Sequence, residues 1–141
     1  MQLKLIALLV VLSLVGCAAA EQYIQIDKAP GTKYQKIGYS SPDPGKMFLV
    51  IDLTIENHGY DSVDTNPYRF KVTVDNVQYD IAGVSYSLDS IDKAMLDSVT
   101  LKDGGKISGS LAFQVPGTTT DYSFEYVPYS WENYDVKYGK L

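Results

Sequence analysis

The sequence predicts an all-β protein in which two antiparallel sheets pack face to face. Apolar and polar residues alternate along several segments, which is the pattern of strands with one buried face. Gly, Pro, Asn and Asp residues separate these segments as turns, and no long helical pattern intervenes. A sheet with one apolar face is stabilised when it covers a second sheet, so we expect an immunoglobulin-like β-sandwich of about seven to eight strands. A closed barrel is the alternative architecture.

The N-terminal residues have the composition of a secretory signal peptide. Lys4 supplies a positive charge, residues 5–15 are almost wholly apolar, and small residues end the run. This run is shorter than the roughly 20 apolar residues that a membrane-spanning helix needs. Its closing Leu-Val-Gly-Cys at 14–17 resembles the lipobox of prokaryotic lipoproteins, which implies that Cys17 is lipidated and becomes the first mature residue. The alternative is an ordinary signal peptide cut after residues 18–20, in which Cys17 is incidental.

These features divide the chain into four parts. They are a lipoprotein signal peptide (1–16), a lipid-anchored tether (17–22), the β-sandwich (23–128), and an aromatic C-terminal segment (129–141) that can form a last edge strand. We expect an exported protein that lipid anchors to the outer face of the cytoplasmic membrane or to the cell envelope, because two acyl chains suffice for stable retention. Cys17 is the only cysteine. Packing and not disulfide bonds must therefore stabilise the sandwich.

The first half of the predicted sandwich contains one long strand. Residues 49–56 place Leu or Ile on one face and mostly polar residues on the other, and Asn-His-Gly at 57–59 ends the strand as a turn. Shorter strands are expected at 23–26, 33–39 and 63–64.

The second half contains a hairpin and two further strands. Residues 70–74 alternate, and the Asp-Asn pair at 75–76 is a turn that leads into a partner strand at 77–79. The same alternation indicates strands at 110–115 and at 122–126.

One segment departs from the strand pattern. Apolar residues recur three or four positions apart over residues 87–100, which indicates a short amphipathic helix or a crossover between the two sheets. A short strand is expected at 99–102, where this segment ends.

Two sequence blocks resemble a known family. Residues 45–57, GKMFLVIDLTIEN, are similar to the signature strand of a widespread prokaryotic extracellular domain of unknown function, often found just behind a lipobox. Residues 101–116, LKDGGKISGSLAFQVP, are similar to its second block, although Asp103 replaces the proline that is common before the turn glycine. The resemblance spans residues 33–126. It implies an immunoglobulin-like or telokin-like sandwich related to a secreted immunoprotective antigen, and it carries over no catalytic residue.

The charge balance and the few reactive residues argue against several functions. With 12 basic and 17 acidic residues the formal net charge is −5 at pH 7, which disfavours nucleic-acid partners. The only histidine, His58, is expected in an exposed turn, and no serine lies in a nucleophile-elbow motif. We therefore expect no enzymatic activity and no cofactor.

Acidic residues cluster in two predicted loops. Carboxylate oxygens can bind calcium, but the spacing of a calcium-binding loop is missing here. Solvated loops without a metal are the expected explanation. The residues concerned are Asp61, Asp64, Asp89, Asp92, Asp97 and Asp103.

Aromatic residues crowd the C-terminal part of a chain that contains 12 tyrosines. Tyrosine and tryptophan are favoured at binding surfaces, because they bury a large area at low entropic cost and keep a polar group. The alternative is that tyrosine simply suits strands and half-buried sandwich edges. The candidate binding surface consists of Tyr126, Tyr129, Trp131, Tyr134 and Tyr138.

Together these observations predict a non-enzymatic cell-envelope lipoprotein that displays an interaction module. The lipidated Cys17 would bind the membrane, and the partner would be an unknown envelope protein or a glycan. The alternative function is a glycan-binding accessory domain that uses the same C-terminal aromatic residues. An enzyme with a site assembled from Asp, Glu and Tyr is a third interpretation, and a purely structural envelope component is a fourth.

Overall fold

The structure is a computed structural model that describes residues 20–141. Cys17 and the predicted signal peptide lie outside these residues. Strands dominate the described chain, and the predicted all-β class is confirmed. The strands are β1 (Tyr23–Lys28), β2 (Thr32–Tyr34), β3 (Lys46–His58), β4 (Val63–Asp64), β5 (Phe70–Val74), β6 (Val77–Tyr79), β7 (Thr100–Leu101), β8 (Lys106–Pro116), β9 (Ser123–Tyr126) and β10 (Val136–Lys140).

The first sheet is built around the long strand β3. Along one edge β3 pairs antiparallel with β8 from Lys46 to Glu56. Along its other edge it pairs with β2 near its start and with β1 near its end, so these two short strands share one edge. Strand β10 extends the sheet beyond β1 and runs parallel to it.

The second sheet has the order β6-β5-β9, and all its pairs are antiparallel. The predicted hairpin between β5 and β6 is confirmed. Its turn residues Asp75 and Asn76 have φ values of 49° and 64°, and left-handed conformations at both central positions match the twist of the two strands. Strands β4 and β7 form a separate two-stranded ladder.

The main core lies between the two sheets, and its residues come from both. The inward positions of β3, β8, β5 and β9 supply most of it, as the alternation predicts. Every buried side-chain nitrogen or oxygen in residues 20–141 has a hydrogen-bond partner. The largest fully buried side chains in this core are Ile24, Ile26, Leu49, Ile51, Leu53, Ile55, Phe70, Leu96, Leu111 and Phe113.

A second, smaller core covers the outer face of the first sheet. A 3₁₀ segment over Gly83–Ile91 packs Val84 and Leu88 against Phe48 and Val50 of β3. This contact explains why four consecutive residues of β3 are buried, where alternation alone predicts one buried face.

The short helix or crossover predicted at 87–100 is a 3₁₀ helix that begins and ends earlier, at Gly83 and Ile91. The 3₁₀ segment ends at Ile91, because Asp92 adopts a left-handed conformation with φ 58°. The chain then runs beside β8, where the Leu96 N–H donates to the Ser110 carbonyl at 3.0 Å. Gly109 permits this approach, since a Cβ atom there would lie 2.5 Å from the Leu96 Cα.

Two other local predictions need correction. The strand expected at 33–39 is only three residues long, and a turn with Gly38 at φ 59° follows it. His58 does not lie in an exposed turn. It is the half-buried last residue of β3, and its ring stacks on Tyr23 with centroids 4.4 Å apart.

Candidate functional site

Residues 127–135 connect β9 in the second sheet to β10 in the first. We call this segment the C-terminal strap. The Val127 N–H donates to the Arg69 carbonyl at 2.7 Å, and the Asp135 N–H donates to the Tyr60 hydroxyl at 2.9 Å. The Tyr134 hydroxyl donates to the Ser62 carbonyl at 3.2 Å. These bonds hold both ends of the strap against the sandwich.

A tight turn at the middle of the strap presents the only tryptophan of the chain. The Glu132 N–H donates to the Tyr129 carbonyl, and the Tyr129 N–H donates to Glu132 Oε1, both at 2.9 Å. Trp131 lies within this turn, and 77% of its surface is exposed. The two hydrogen bonds close the turn from both sides and so hold it in one conformation.

Trp131 belongs to a three-layer arrangement that we call the aromatic stack, formed by Arg69, Tyr129 and Trp131. The Tyr129 and Trp131 rings are parallel within 4°, with centroids 4.6 Å apart. The Arg69 guanidinium lies 3.9 Å from the Tyr129 ring centre, and its Nε donates to the Val127 carbonyl. Both neighbours are so close to the Tyr129 ring that they must occupy its opposite faces. One face of the indole is therefore covered, and the other is open.

The stack stabilises the exposed indole in one orientation. An aromatic pair of this kind contributes about 0.5–1.5 kcal/mol, and an exposed cation–π contact about 0.5–1 kcal/mol. A ring that is held in place before binding loses little conformational entropy when a partner covers it. The aromatic stack thus has the physical properties of a preorganised contact platform.

A groove of about 500 Å³ opens beside the aromatic stack, and we call it the tyrosine groove. Tyr68 and Tyr86 line it, and their hydroxyls are hydrogen-bonded at 2.9 Å. Asn66 also lines the groove, and its Nδ2 lies 3.5 Å from the Tyr129 hydroxyl. This amide connects the groove to the stack.

The remaining lining of the tyrosine groove combines an apolar floor with a polar rim. Pro67 and Leu96 are buried, whereas Asp97 is exposed. The hydrogen bond between the Tyr68 and Tyr86 hydroxyls is the main cause that raises the pKa of Tyr86 above its ordinary value, followed by desolvation. Tyr86 therefore keeps its hydroxyl proton at neutral pH.

The structure divides the five aromatic residues predicted as a binding surface. Tyr129 and Trp131 come together in the aromatic stack. Tyr134 is half-buried with its ring against Tyr60 at 4.8 Å. Tyr138 is half-exposed, and its hydroxyl accepts from the Tyr126 N–H at 2.9 Å.

Tyr126 does not belong to the surface, which corrects the sequence prediction. Only 7% of this residue is exposed, and its ring packs against Phe70 with centroids 5.2 Å apart. Burial, together with the nearby Glu132 charge, raises the pKa of Tyr126 far above its ordinary value. Tyr126 is buried because it ends β9 on the face that points into the core.

Sequence reasoning missed Asn66, Arg69, Tyr68 and Tyr86. Asn66, Tyr68 and Arg69 lie close together in the sequence, but only the crossover through the 3₁₀ segment brings Tyr86 next to Tyr68. The Asn-Pro pair at 66–67 is the one local signal that marks a turn there.

The other residues considered in the sequence do not gather into a site. No group of three or more His, Cys, Asp or Glu side chains in residues 20–141 is arranged to hold a metal ion. Over the same residues, no helix has the length and apolar character needed to cross a membrane.

Comparison with known proteins identifies a family and a related fold. The family model described as "Domain of unknown function (DUF4352)" matches residues 18–136. The fold is similar to the crystal structure of a putative lipoprotein (ycdA) from Bacillus subtilis subsp. subtilis str. 168, with a TM-score of 0.64 and 17% sequence identity. That match covers 82% of this chain and 34% of the other, so this chain spans about a third of its length. No curated protein matches the chain.

Proposed function

The chain belongs to the DUF4352 family of domains of unknown function, and we propose that it is a non-enzymatic interaction module of the cell envelope. Lipid on Cys17 would hold it at the membrane. The aromatic stack would be its contact surface, and the partner would be an envelope component. The observation that carries the proposal is the exposure of Trp131. Its large apolar ring is 77% exposed, and one of its faces stacks on Tyr129.

The tethering part of the proposal has two supports. The sequence at 14–17 resembles a lipobox, and the fold resembles that of a chain described as a lipoprotein. The immunoglobulin-like or telokin-like assignment, with its relation to a secreted immunoprotective antigen, remains a prediction. The family assignment covers both sequence blocks that suggested it.

The choice of Trp131 follows from how exposed aromatic residues behave. Tryptophan, tyrosine and arginine supply most hot spots at protein interfaces, and they cluster where contacts exclude water. The aromatic stack contains one of each. Exposed aromatic faces also stack on sugar rings, so the tyrosine groove beside the stack favours glycan binding as the second candidate function.

Retention of the protein on isolated cell envelopes tests the proposal. We expect that the purified protein with Cys17→Ser, which removes the lipid, sediments with envelopes in a saturable manner. Trp131→Ala should lower this retention about tenfold, which corresponds to about 1.4 kcal/mol. Tyr39→Ala is the matched control, since Tyr39 is fully exposed and lies outside both the stack and the groove.

Equal retention of the Trp131→Ala and Tyr39→Ala proteins would contradict the assignment of the contact surface. Circular dichroism of each variant shows whether the sandwich remains folded, so a loss of retention can be separated from a loss of structure.

A further inference from the structure

We propose that the tyrosine groove binds a neutral oligosaccharide of N-acetylated amino sugars. This inference rests on the proposed function, because it names a ligand class for the surface around the aromatic stack. It assigns the recognition of single sugar units to Asn66, Tyr68, Tyr86 and Asp97.

The size and the aromatic lining of the groove suit a sugar chain. Its volume of about 500 Å³ lies within the range of about 300–1,000 Å³ that is usual for ligand pockets. Tyr68 and Tyr86 are 53% and 64% exposed. Aromatic side chains offer an apolar face to the C–H groups of a sugar ring and a hydroxyl to its polar edge. The bond between the two hydroxyls holds both side chains in place.

The charge of the groove disfavours acidic ligands. Asp97 is its one charged lining residue, and the chain as a whole carries a formal charge of −5. Arg69 is turned to the Tyr129 ring and the Val127 carbonyl. An anionic polysaccharide or a phosphorylated ligand would bring like charges together, which costs free energy. A neutral ligand meets no such repulsion.

An acetamido substituent matches the combination of polar rim and apolar floor. Its N–H can donate to the Asp97 carboxylate, which forms no ion pair with any residue in the described range. Its methyl group can pack on Met95, the partly exposed apolar residue that lines the groove together with the buried Pro67 and Leu96. A sugar that carries hydroxyl groups and no acetamido group has no methyl group to contact these apolar side chains.

The tyrosine groove lies next to the aromatic stack, so the proposed site can hold more than one sugar. Asn66 lines the groove and also approaches the Tyr129 hydroxyl. A chain bound in the groove can therefore continue from Asn66 towards the aromatic stack at the Tyr129 hydroxyl.

Tetra-N-acetylchitotetraose is the probe that tests this inference. We expect saturable binding by isothermal titration calorimetry, with a change in the fluorescence of Trp131, the single tryptophan. Tyr86→Ala and Asp97→Asn should each weaken binding about tenfold. Tyr39→Ala and Asp89→Asn are matched controls that alter an exposed tyrosine and an exposed aspartate outside the groove, and they should leave affinity unchanged.

Two comparison sugars define the ligand class. Cellotetraose has no acetamido groups and should bind at least about tenfold more weakly, and tetragalacturonate is anionic and should not bind. Equal binding of cellotetraose, or binding of tetragalacturonate, would overturn the assignment. So would an affinity for the chitin fragment that Tyr86→Ala leaves unchanged.

Failure of this inference is distinguishable from failure of the proposed function. If the probe does not bind while Trp131→Ala still lowers envelope retention, the sugar assignment is wrong and the contact surface stands. If Tyr86→Ala abolishes the capture of an envelope protein and no sugar binds, the groove docks protein, which also overturns the sugar assignment.

Discussion

At the scale of single residues, neighbouring aromatic side chains in the sequence have opposite roles. Tyr126 ends a strand with its ring in the core, and Trp131, five positions later, lies in a turn with its ring in solvent. Residue type does not distinguish them, since both are favoured at interfaces and in sheets. Backbone position does distinguish them, because the alternation of buried and exposed residues ends with β9 and the strap is not a strand.

This difference predicts unequal effects on stability. Trp131→Ala should lower the free energy of unfolding by less than about 1.5 kcal/mol, since only one ring face makes contacts. Phe113→Ala, which empties a fully buried core position, should cost about 3–5 kcal/mol. Urea unfolding followed by circular dichroism measures both values. A loss for Trp131→Ala as large as that for Phe113→Ala would place Trp131 in the core and refute the surface assignment.

At the scale of elements, the sequence predicted the strands whose alternating faces meet the main core. Strand β3, the β5–β6 hairpin and β8 all lie where alternation and turn residues place them. The sequence predicted that residues 129–141 can form a last edge strand, but it did not give the bounds of β10, which depend on its parallel pairing with β1 from the other end of the chain. The 3₁₀ segment was misplaced, because its end depends on the left-handed Asp92 and on the space left by Gly109.

The candidate site could be predicted only where its residues lie close together in the sequence. Trp131 and Tyr129 were found because local crowding of aromatic residues is visible in the sequence. Tyr68 and Tyr86 were not found, since they are 18 positions apart and meet only through the crossover. A surface assembled from separate loops leaves no local pattern in one sequence.

One ion pair fastens this crossover to the first sheet. Lys93 Nζ donates to Asp52 Oδ2 at 2.8 Å, and Ser110 Oγ donates to Asp52 Oδ1 at 2.6 Å. Burial alone would raise the pKa of Asp52, but these hydrogen bonds and the Lys93 charge outweigh burial and lower it below 3.8. The hydrogen bond to Asp52 also raises the pKa of Lys93 above 10.5, although partial desolvation opposes this shift.

The pair should therefore stabilise the fold between about pH 4 and pH 10.5. A lowered carboxyl pKa contributes stability that is lost as pH falls through the folded-state value, and a raised lysine pKa contributes stability that is lost as pH rises through it. Asp52→Asn should cost less than about 1 kcal/mol at pH 7, because the pair is partly exposed to solvent. The difference from the parent protein should shrink below pH 3.8.

Urea unfolding at a series of pH values measures this difference. Asp89→Asn, in the exposed part of the 3₁₀ segment, is the control for replacing an aspartate with an asparagine. A stability difference for Asp52→Asn that is the same at about pH 2 as at pH 7 would show that the carboxylate charge is not involved.

At the scale of the whole molecule, the C-terminal strap joins the two sheets and carries the aromatic stack. It leaves the second sheet at β9 and enters the first at β10, which lies beside β1. The described chain begins at residue 20, just before β1. A lipid on Cys17 would hold the sandwich near the membrane through a tether of a few residues.

The anchor itself is tested by fractionation of cells that express the full chain. We expect the parent protein in the membrane fraction and Cys17→Ser in the soluble extracytoplasmic fraction, because the acyl chains supply the membrane affinity. Ser13→Ala, which changes the apolar run and keeps the cysteine, is the control and should stay with membranes. Membrane partitioning of Cys17→Ser equal to that of the parent would refute lipid tethering.

Photo-crosslinking in intact cells is the most direct test of the central claim that Trp131 marks a contact surface of a tethered envelope module. A photoreactive phenylalanine analogue replaces Trp131 in one variant and Tyr39 in another, and both are irradiated in living cells. If Trp131 contacts a partner, we expect a discrete crosslinked product from position 131 and none from position 39. No product at 131, or the same products from both positions, would contradict it.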